Sequence, residues 1–234
     1  MRPFELQEQV MCVFEQGHEP ALKRLKLSGI SLQLATAEDA NKTEDIEYSK
    51  IYCCTKLITN MKNEPVIQIA EPFDAFFLSK LAEKSFRGAF AKLNDKENFE
   101  TYVALSFTEN QIRSEILDSA STFFIARLND EWVGYAKLSQ AVPPDCVTQI
   151  PSIELARLYS MQEYLGCGIG PALMKACIDY AREKEFKSIW LSSWKQNSRG
   201  NAFYTKMRFQ ILGNATFALG SDIQDDYIFA KSII

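Results

Sequence analysis

The segment Tyr164-Leu165-Gly166-Cys167-Gly168-Ile169-Gly170-Pro171 carries the plainest chemistry in this sequence. It follows the strand-like run from Ile153 to Ser160 and leads into an amphipathic stretch, so it reads as strand, glycine-rich turn, helix start. A helix N-terminus leaves main-chain N–H groups without intrahelical acceptors, and the partial positive charge of the helix end draws an anion towards them. The glycines remove the Cβ atoms that would keep a phosphate off the main chain. Pro171 fits the first helical position, where its missing N–H is not needed. A plain tight turn would use the same residues, and the run by itself does not separate the two. The dinucleotide fingerprint needs two residues between its second and third glycines, and the Walker loop needs Gly-Lys-Ser/Thr. The sequence has neither.

Other reactive residue types narrow the chemistry further. The cysteines at 12, 53, 54, 146, 167 and 177 show no metal-binding spacing, and a single histidine, His18, excludes most histidine-based zinc sites. They read as free thiols in a reducing compartment, with the adjacent pair Cys53-Cys54 as the weaker redox or chelating alternative. The net charge of −4 and the lack of a Lys/Arg block interleaved with aromatics argue against nucleic acid as partner and leave a cationic substrate electrostatically welcome. With 47% apolar and 24% charged residues the chain falls in the ordinary globular range. No run reaches the roughly 18–20 apolar residues of a membrane span. The start Met1-Arg2-Pro3-Phe4-Glu5 leads into charges, not into an apolar signal core, so a cytoplasmic location is expected.

The elements that must position these residues follow from periodicity. Val66 to Ala70 reads as a strand and Asp74 to Phe90 as an amphipathic helix with Phe76, Leu78, Leu81 and Phe86 on its buried face. Asp95 to Phe107 and Glu109 to Leu117 read as helices. Thr122–Leu128 and Val133–Leu138 flank Asn129-Asp130-Glu131-Trp132, a hairpin signature, and Ala141-Val142-Pro143-Pro144-Asp145 is a loop. Then come a strand over 153–160, a helix over 170–185, a strand over 188–194, a helix over 198–207 and a closing pair near 209–219 and 226–233. This order predicts an α/β mixed sheet whose strands before and after the glycine turn and its helix begin parallel and splay apart. Residues 1–64 fall outside the pattern: Leu6 to Leu27 could be a helix, but no second core is evident, and the segment is read as a non-catalytic extension. A further reading makes Met61-Lys62-Asn63-Glu64-Pro65 the natural start, with the upstream portion an artefact of start assignment.

Taken together, the strand ending in Arg157-Leu158-Tyr159, the Gly-x-Gly-x-Gly turn and the later Asn197-x4-Ala202-Phe203-Tyr204-x-Lys206-x-x-Phe209 segment resemble the diagnostic segments of the GCN5-related N-acetyltransferase (GNAT) superfamily, over roughly residues 65–234. Within it the chain is most similar to the Pai-type polyamine N-acetyltransferases. That closer likeness lies in Ser85-Phe86 through Phe90, Asn94 to Asn98, Ile189-Trp190-Leu191 with Trp194, and the tail Gly220 to Asp226 and on to Ala230-Lys231. Leu165 stands where the family usually has Gln or Arg, and Arg208 where it usually has Gly. The first change leaves the main-chain donors in place. The second places a side chain at a helix end with positive φ, at a cost of roughly 1 kcal/mol.

The resemblance implies acetyl-CoA as co-substrate, no metal, and a small-molecule amine, polyamine-like, as acceptor, with a homodimer left open. Main-chain groups of Leu158, Tyr159 and Ser160 would bind the pantetheine arm and the thioester oxygen, and Leu165, Gly166, Cys167, Gly168, Ile169, Gly170 and Pro171 the pyrophosphate. Asn197 would lie beside the arm, and Lys206 joins the cofactor-binding set. Tyr204 would act as general acid towards the leaving sulfur, because a phenol pKa of about 10 resembles that of an alkyl thiol. Glu154 is the candidate base, although it would serve equally as a solvated strand residue; Ser192 stands where some relatives place a glutamate and cannot be a strong base. Cys167 invites a covalent acyl route, but a small tolerated side chain in the turn accounts for it. Glu83, Asp95, Glu97 and Glu100 could attract ammonium groups, as could any charged helix surface. Acetylation of protein N-termini or lysines is the alternative enzyme reading, and a non-catalytic CoA-binding sensor the alternative outside enzymes.

Overall fold

The computed structural model describes residues 64–234 and, ahead of them, two three-residue strands, β1 (Leu25–Leu27) and β2 (Ile30–Leu32), which pair antiparallel as a sheet of their own. The chain divides into two compact units, Met1–Thr55 and Lys56–Ile234, each taken by itself. The helix expected over 6–27 does not reach Leu27, since Leu25–Leu27 is strand, and the rest of it lies outside the described residues. So do Cys12, His18, Cys53, Cys54 and Met61.

The second unit runs β3 (Val66–Ile69), α1 (Ala75–Phe90), α2 (Lys96–Ser106), α3 (Glu109–Leu117), β4 (Ser121–Leu128), β5 (Glu131–Ser139), β6 (Ser152–Ser160), α4 (Ile169–Glu183), β7 (Ser188–Trp194), α5 (Ser198–Lys206), β8 (Gln210–Leu219) and β9 (Asp222–Ser232). Local chemistry sets many of these boundaries. The Asp95 carboxylate accepts from the N–H groups of Glu97 and Asn98 and starts α2, and the Thr108 hydroxyl accepts from Gln111 N–H and starts α3. Asn129 and Asp130, at φ 51° and 65°, make the two-residue turn that joins β4 to β5 with the strands' own twist.

The seven strands lie in the order β3-β4-β5-β6-β7-β9-β8, and β6–β7 is the parallel pair. That pair holds at Ser152–Ser188, Ile153–Ile189 and Glu154–Trp190 and goes no further, although β6 continues to Ser160 and β7 to Trp194. This is the expected splay. Beside it, Lys137 of β5 faces Arg157 while Leu138 faces Leu155, so Ala156 is an extra residue, a bulge that bends β6 where the gap opens.

Helices cover both faces. A Cβ at Gly134 of β5 would meet Ile169 and Leu173 of α4. The next residue, Tyr135, points the other way and stacks on Tyr159 of β6, whose ring meets Phe86 and Phe90 of α1 edge-on. α1, α2 and α3 therefore share one face, and α4 the opposite one. Leu78, Leu81 and Phe86 are buried on α1 as expected, whereas Phe76 is 47% exposed. It sits one residue off the buried stripe of Ala75, Leu78, Ala82 and Ser85, and its ring packs edge-on against Phe77 instead.

Candidate functional site

The glycine-rich turn is fixed to the scaffold at several points. Met161 N–H bonds to Val133 O of β5, the buried Tyr164 hydroxyl donates to Glu131 of the same strand, and Lys84 of α1 pairs with Glu163 at 3.0 Å. Within the turn, Leu165 N–H bonds to Gln162 O and Cys167 N–H to Tyr164 O. These two expected phosphate donors are thus already committed to shaping the turn. The N–H groups of Gly166, Gly168, Ile169 and Gly170 have no acceptor among the described residues, and the first bond of α4 is Ala172 N–H to Gly168 O. Gly166 and Gly168 sit at φ 84° and 82°, the left-handed region where glycine is favoured, and a Cβ on Gly168 would meet nothing within 4 Å. The result is an open cradle of four free donors at a helix N-terminus, which fits a phosphate. Pro171 is the third residue of α4, not the first, because the helix begins at Ile169. It is still within the turn whose N–H groups lack partners.

Next to the cradle, the gap between β6 and β7 presents main-chain groups. Since Met161 N–H bonds to Val133 O, the antiparallel alternation makes Tyr135–Tyr159 a hydrogen-bonded pair and leaves Ser160 and Leu158 in non-bonded pairs. Leu158 and Ser160 therefore turn their N–H and C=O groups towards the gap, where β7 no longer pairs with them. Tyr159 does not: its main chain is engaged with Tyr135, and what it contributes is its half-buried ring.

α5 enters from the α4 side, where a Cβ on Gly170 would come within 3.4 Å of the Phe203 ring. Asn197 caps it, its side-chain oxygen accepting from Gly200 N–H at 3.0 Å. The Tyr204 ring lies among Phe203, Phe209 and Phe229 at centroid distances of 5.5, 6.1 and 5.6 Å. Its hydroxyl has no hydrogen-bond partner among the described residues, and it is near enough to Tyr159 for the two charges to interact. Burial pushes the Tyr204 hydroxyl up to about 12, above the expected match to a thiol, so it stays protonated as a donor. Lys206 is exposed in the last turn of α5. Arg208 takes the anticipated left-handed conformation, at φ 65°, and Lys231 Nζ donates to Met207 O at 2.8 Å to help close the helix.

On the α1–α3 face the surface carboxylates singled out from the sequence are largely occupied. Glu83 and Glu100 both pair with Arg87, at 2.9 and 2.7 Å, and Asp95 is a helix cap. Ion pairing draws charged side chains on neighbouring turns together, and spacing alone does not show it. The more buried cluster is Glu115 of α3 with Arg157 and Lys137, at 2.8 and 3.0 Å. Burial pushes the Glu115 carboxyl up, but Arg157, Gln111 and Lys137 outweigh it and hold it low. Glu154 lies at the last position at which β6 pairs with β7, and burial raises its carboxyl against the pull of Lys137.

A second carboxylate, Asp226 of β9, is 6% exposed, and the Ser192 hydroxyl of β7 donates to its Oδ2 at 2.6 Å. Burial raises this carboxyl; the Ser192 bond and Lys195 lower it, and Asp225 raises it. Asp226 is not singled out by the sequence, because the strand register that brings position 226 beside Ser192 is not written in it. Cys177 is buried, its thiol pushed up by burial. Among the described residues no group of three or more His, Cys, Asp or Glu could hold a metal ion, and no helix is long and apolar enough to cross a membrane.

A sequence model of the acetyltransferase (GNAT) family matches residues 81–209, more than half of the chain, from within α1 to Phe209. The chain belongs to the GNAT acetyltransferase family. It is accordingly an acyltransferase acting on nitrogen, and the turn and gap described above are features of a GNAT protein. Two relatives are known as uncharacterized N-acetyltransferases. One, from Lactobacillus delbrueckii subsp. lactis, is 23% identical over 174 residues, covering 74% of this chain and 100% of the relative. The other, from Mycobacterium bovis, is 27% identical over 161 residues, covering 69% and 99%. Among solved structures, the PaiA N-acetyltransferase of Thermoplasma acidophilum in complex with coenzyme A superposes with a TM-score of 0.60 at 22% identity, over 71% of this chain and 99% of that one.

Proposed function

We propose that this GNAT protein transfers the acetyl group of acetyl-CoA to a primary amine of a small, polyamine-like acceptor by direct attack, with Tyr204 as general acid. The observation that carries the reading is the juxtaposition of a cradle of free N–H groups, a main-chain-lined gap and an unpartnered tyrosine hydroxyl. The likeness to a PaiA protein holding coenzyme A supports the co-substrate. Acetyl-CoA supplies a thioester, an acyl group already activated for an amine. Gly166, Gly168, Ile169 and Gly170 hold the pyrophosphate through their N–H groups, while Leu165, Cys167 and Pro171 shape the turn. Leu158 and Ser160 offer main-chain groups to the pantetheine arm and to the thioester oxygen, where fixed dipoles stabilise developing charge. Asn197 flanks the arm and Lys206 reaches a phosphate from α5. The amine nitrogen bonds to the acyl carbon and releases its surplus proton to solvent, the carbon–sulfur bond breaks, and Tyr204 gives its proton to the sulfur and recovers one from solvent.

A polyamine-like acceptor suits the face opposite α4. Tyr159, Tyr135, Phe86, Phe90 and Trp194 form a connected aromatic set there, with Phe90–Trp194 at 6.3 Å, and ring faces attract ammonium groups. The net charge of −4 favours the same acceptor. All these residues fall within 65–234, so the reaction is assigned there, residues 1–64 are given no part in it, and the thiols of Cys146 and Cys177 suit a cytoplasmic setting. The test is mass spectrometry of products from purified protein, acetyl-CoA and a panel of spermidine, spermine, putrescine and peptides with free N-termini. Acetylated polyamine is the expected product. Peptide-only acetylation would transfer the protein to the peptide-acetylating branch, and binding of acetyl-CoA without any product would make it a sensor.

A further inference from the structure

Acetylating an amine that arrives as an ammonium ion requires a group to take its proton, and neither the glycine turn nor Tyr204 does so. Most carboxylates on the α1–α3 face are engaged: Glu83 and Glu100 with Arg87, Glu115 with Arg157 and Lys137, Asp95 in a helix cap. Asp226 differs. Its Oδ2 is fixed by the Ser192 hydroxyl, and its Oδ1 is buried with no hydrogen-bond partner. The other unpartnered buried atoms, on Arg127, Tyr135, Ser152 and Trp190, are N–H or hydroxyl groups. Among the described residues only the Asp226 oxygen belongs to a carboxyl group, and it lacks the donor a buried carboxylate demands.

Its place in the sheet supplies the rest. Asp226 pairs with Trp194, at the level where β6 and β7 have already parted, whereas Glu154 pairs with Trp190, where they are still joined. Its partner Ser192 is exposed, so the pair borders an accessible surface. Trp194, beside it, packs on Phe90 of α1, while Tyr204 comes from the α4 side. The carboxylate and the phenol thus lie on opposite faces of the sheet, beside the strand that borders the gap. That is the arrangement needed when an amine attacks one side of an acyl carbon and sulfur departs from the other.

We infer that Asp226 binds the acceptor's ammonium nitrogen through Oδ1 and removes its proton, with Ser192 as the positioning residue that holds the carboxylate. The inference rests on the acetyl-transfer reading above. The ammonium gives one proton to Asp226, which passes it to solvent; the freed lone pair forms the carbon–nitrogen bond, the carbon–sulfur electrons leave with sulfur, which takes the proton of Tyr204, and the nitrogen's second proton leaves through Asp226 to solvent, giving the neutral amide. The charged groups acting on Asp226 are Asp225 on its own strand and Lys195 just beyond β7; β8 faces it with Ala215 and β7 with Trp194 and Ser192.

The experiment measures kcat/KM against pH for wild type, Asp226→Asn, Ser192→Ala and Glu154→Gln, with the acceptor from the panel above that reacts fastest, alongside acetyl-CoA binding by calorimetry and Tm. Asp226→Asn is expected to keep acetyl-CoA affinity and to lose about 100-fold or more in kcat/KM, the scale of a lost general base, together with the acidic limb of the profile. Ser192→Ala removes a hydrogen bond that favours the ionised form, so its acidic limb should move to higher pH, which a merely structural serine would not cause. Glu154→Gln should retain the limb. Activity of Asp226→Asn within about threefold of wild type, or loss of the limb in Glu154→Gln instead, overturns the inference while leaving the acetyl-transfer reading intact. Should Asp226→Asn fail to fold, an unmoved limb in Ser192→Ala overturns it equally. A wild type that binds acetyl-CoA and acetylates no amine defeats the transfer reading first, and this inference with it.

Discussion

The two sides of the β6–β7 gap are built from different materials. On the α4 side the site is main chain: four free N–H groups of one short turn, held by Tyr164, Glu163 and Met161, with the alternating groups of Leu158 and Ser160 beside it. On the α1–α3 side it is side chains, brought together from α1, α3, β5, β6, β7 and β9: stacked aromatics, the Glu115–Arg157–Lys137 cluster and the Ser192–Asp226 pair. A main-chain site binds any ligand of the right shape and charge and changes little when single side chains change. A side-chain site sets acceptor choice and can be retuned one residue at a time. On the function proposed above, the protein separates a fixed donor grip from an adjustable acceptor surface.

The largest expected effect tests whether Tyr204 belongs to neither side but works at their meeting point. Tyr204→Phe should lower kcat by about 100-fold or more, in the range for a lost general acid, while the Kd for acetyl-CoA measured by calorimetry stays near wild type. Because burial pushes the hydroxyl up to about 12, wild-type kcat should show no loss from its ionisation across the physiological range. A rise in acetyl-CoA Kd with unchanged kcat would place Tyr204 in the donor grip instead.

The acceptor side is expected to depend on its ion pairs for stability. Glu115→Gln leaves Arg157 and Lys137, each about as buried as Glu115, short of their counter-charge. The cost should be about 2–3 kcal/mol in urea unfolding at neutral pH, at the lower end for a broken buried pair because Gln keeps a hydrogen bond. The sign with pH follows from the lowered folded carboxyl. Its contribution is complete above the ordinary glutamate value of about 4.3 and is lost as pH falls through the lower folded value. The difference between wild type and variant should therefore shrink on acidification, with acetyl-CoA affinity unchanged throughout.

This contrast also decides what could be read from the sequence. The donor side was legible because its parts are contiguous: the turn from Tyr164 to Pro171 is strand end, glycines and helix start in one run, and the splay followed from the order of elements around it. What escaped was how the N–H groups are used, since the bonds from Leu165 to Gln162 and from Cys167 to Tyr164 are a product of the folded turn. On the acceptor side, Ser192 and Asp226 are brought together by the register of β7 on β9, and Glu83 and Glu100 are joined through Arg87 across two helices. Charge at a position is visible in a sequence; the partner that neutralises it is not.

A smaller effect should come from the donor turn. Gly168→Ala puts a methyl group at a φ of 82° and into the open space of the cradle. The left-handed penalty is roughly 1 kcal/mol, and the methyl group keeps an anion further from the N–H groups. Steady-state kinetics should show the KM for acetyl-CoA up by about tenfold with kcat and acceptor KM nearly unchanged. An equal rise in acceptor KM would mean that the two sides are not separable.

The smallest effect concerns Arg208, where the chain departs from its family without touching either side of the gap. Arg208 holds φ 65° at the end of α5, and its N–H closes on Thr205 O at 2.9 Å. Nearby, Lys231 donates to Met207 O, and its ammonium is held below its ordinary value by burial and by the repulsion of Arg208 and Arg182. Arg208→Gly removes the left-handed penalty and one repulsive charge, but it enlarges the unfolded ensemble. The balance should be a gain of about 0.5 kcal/mol, or about 1–2 °C in Tm for a domain of this size. Rate and affinity should not change, because Tyr204 is held by Phe203, Phe209 and Phe229 and not by the helix end. A drop in acetyl-CoA affinity would instead show the guanidinium reaching a phosphate, and the donor grip would then include a side chain after all.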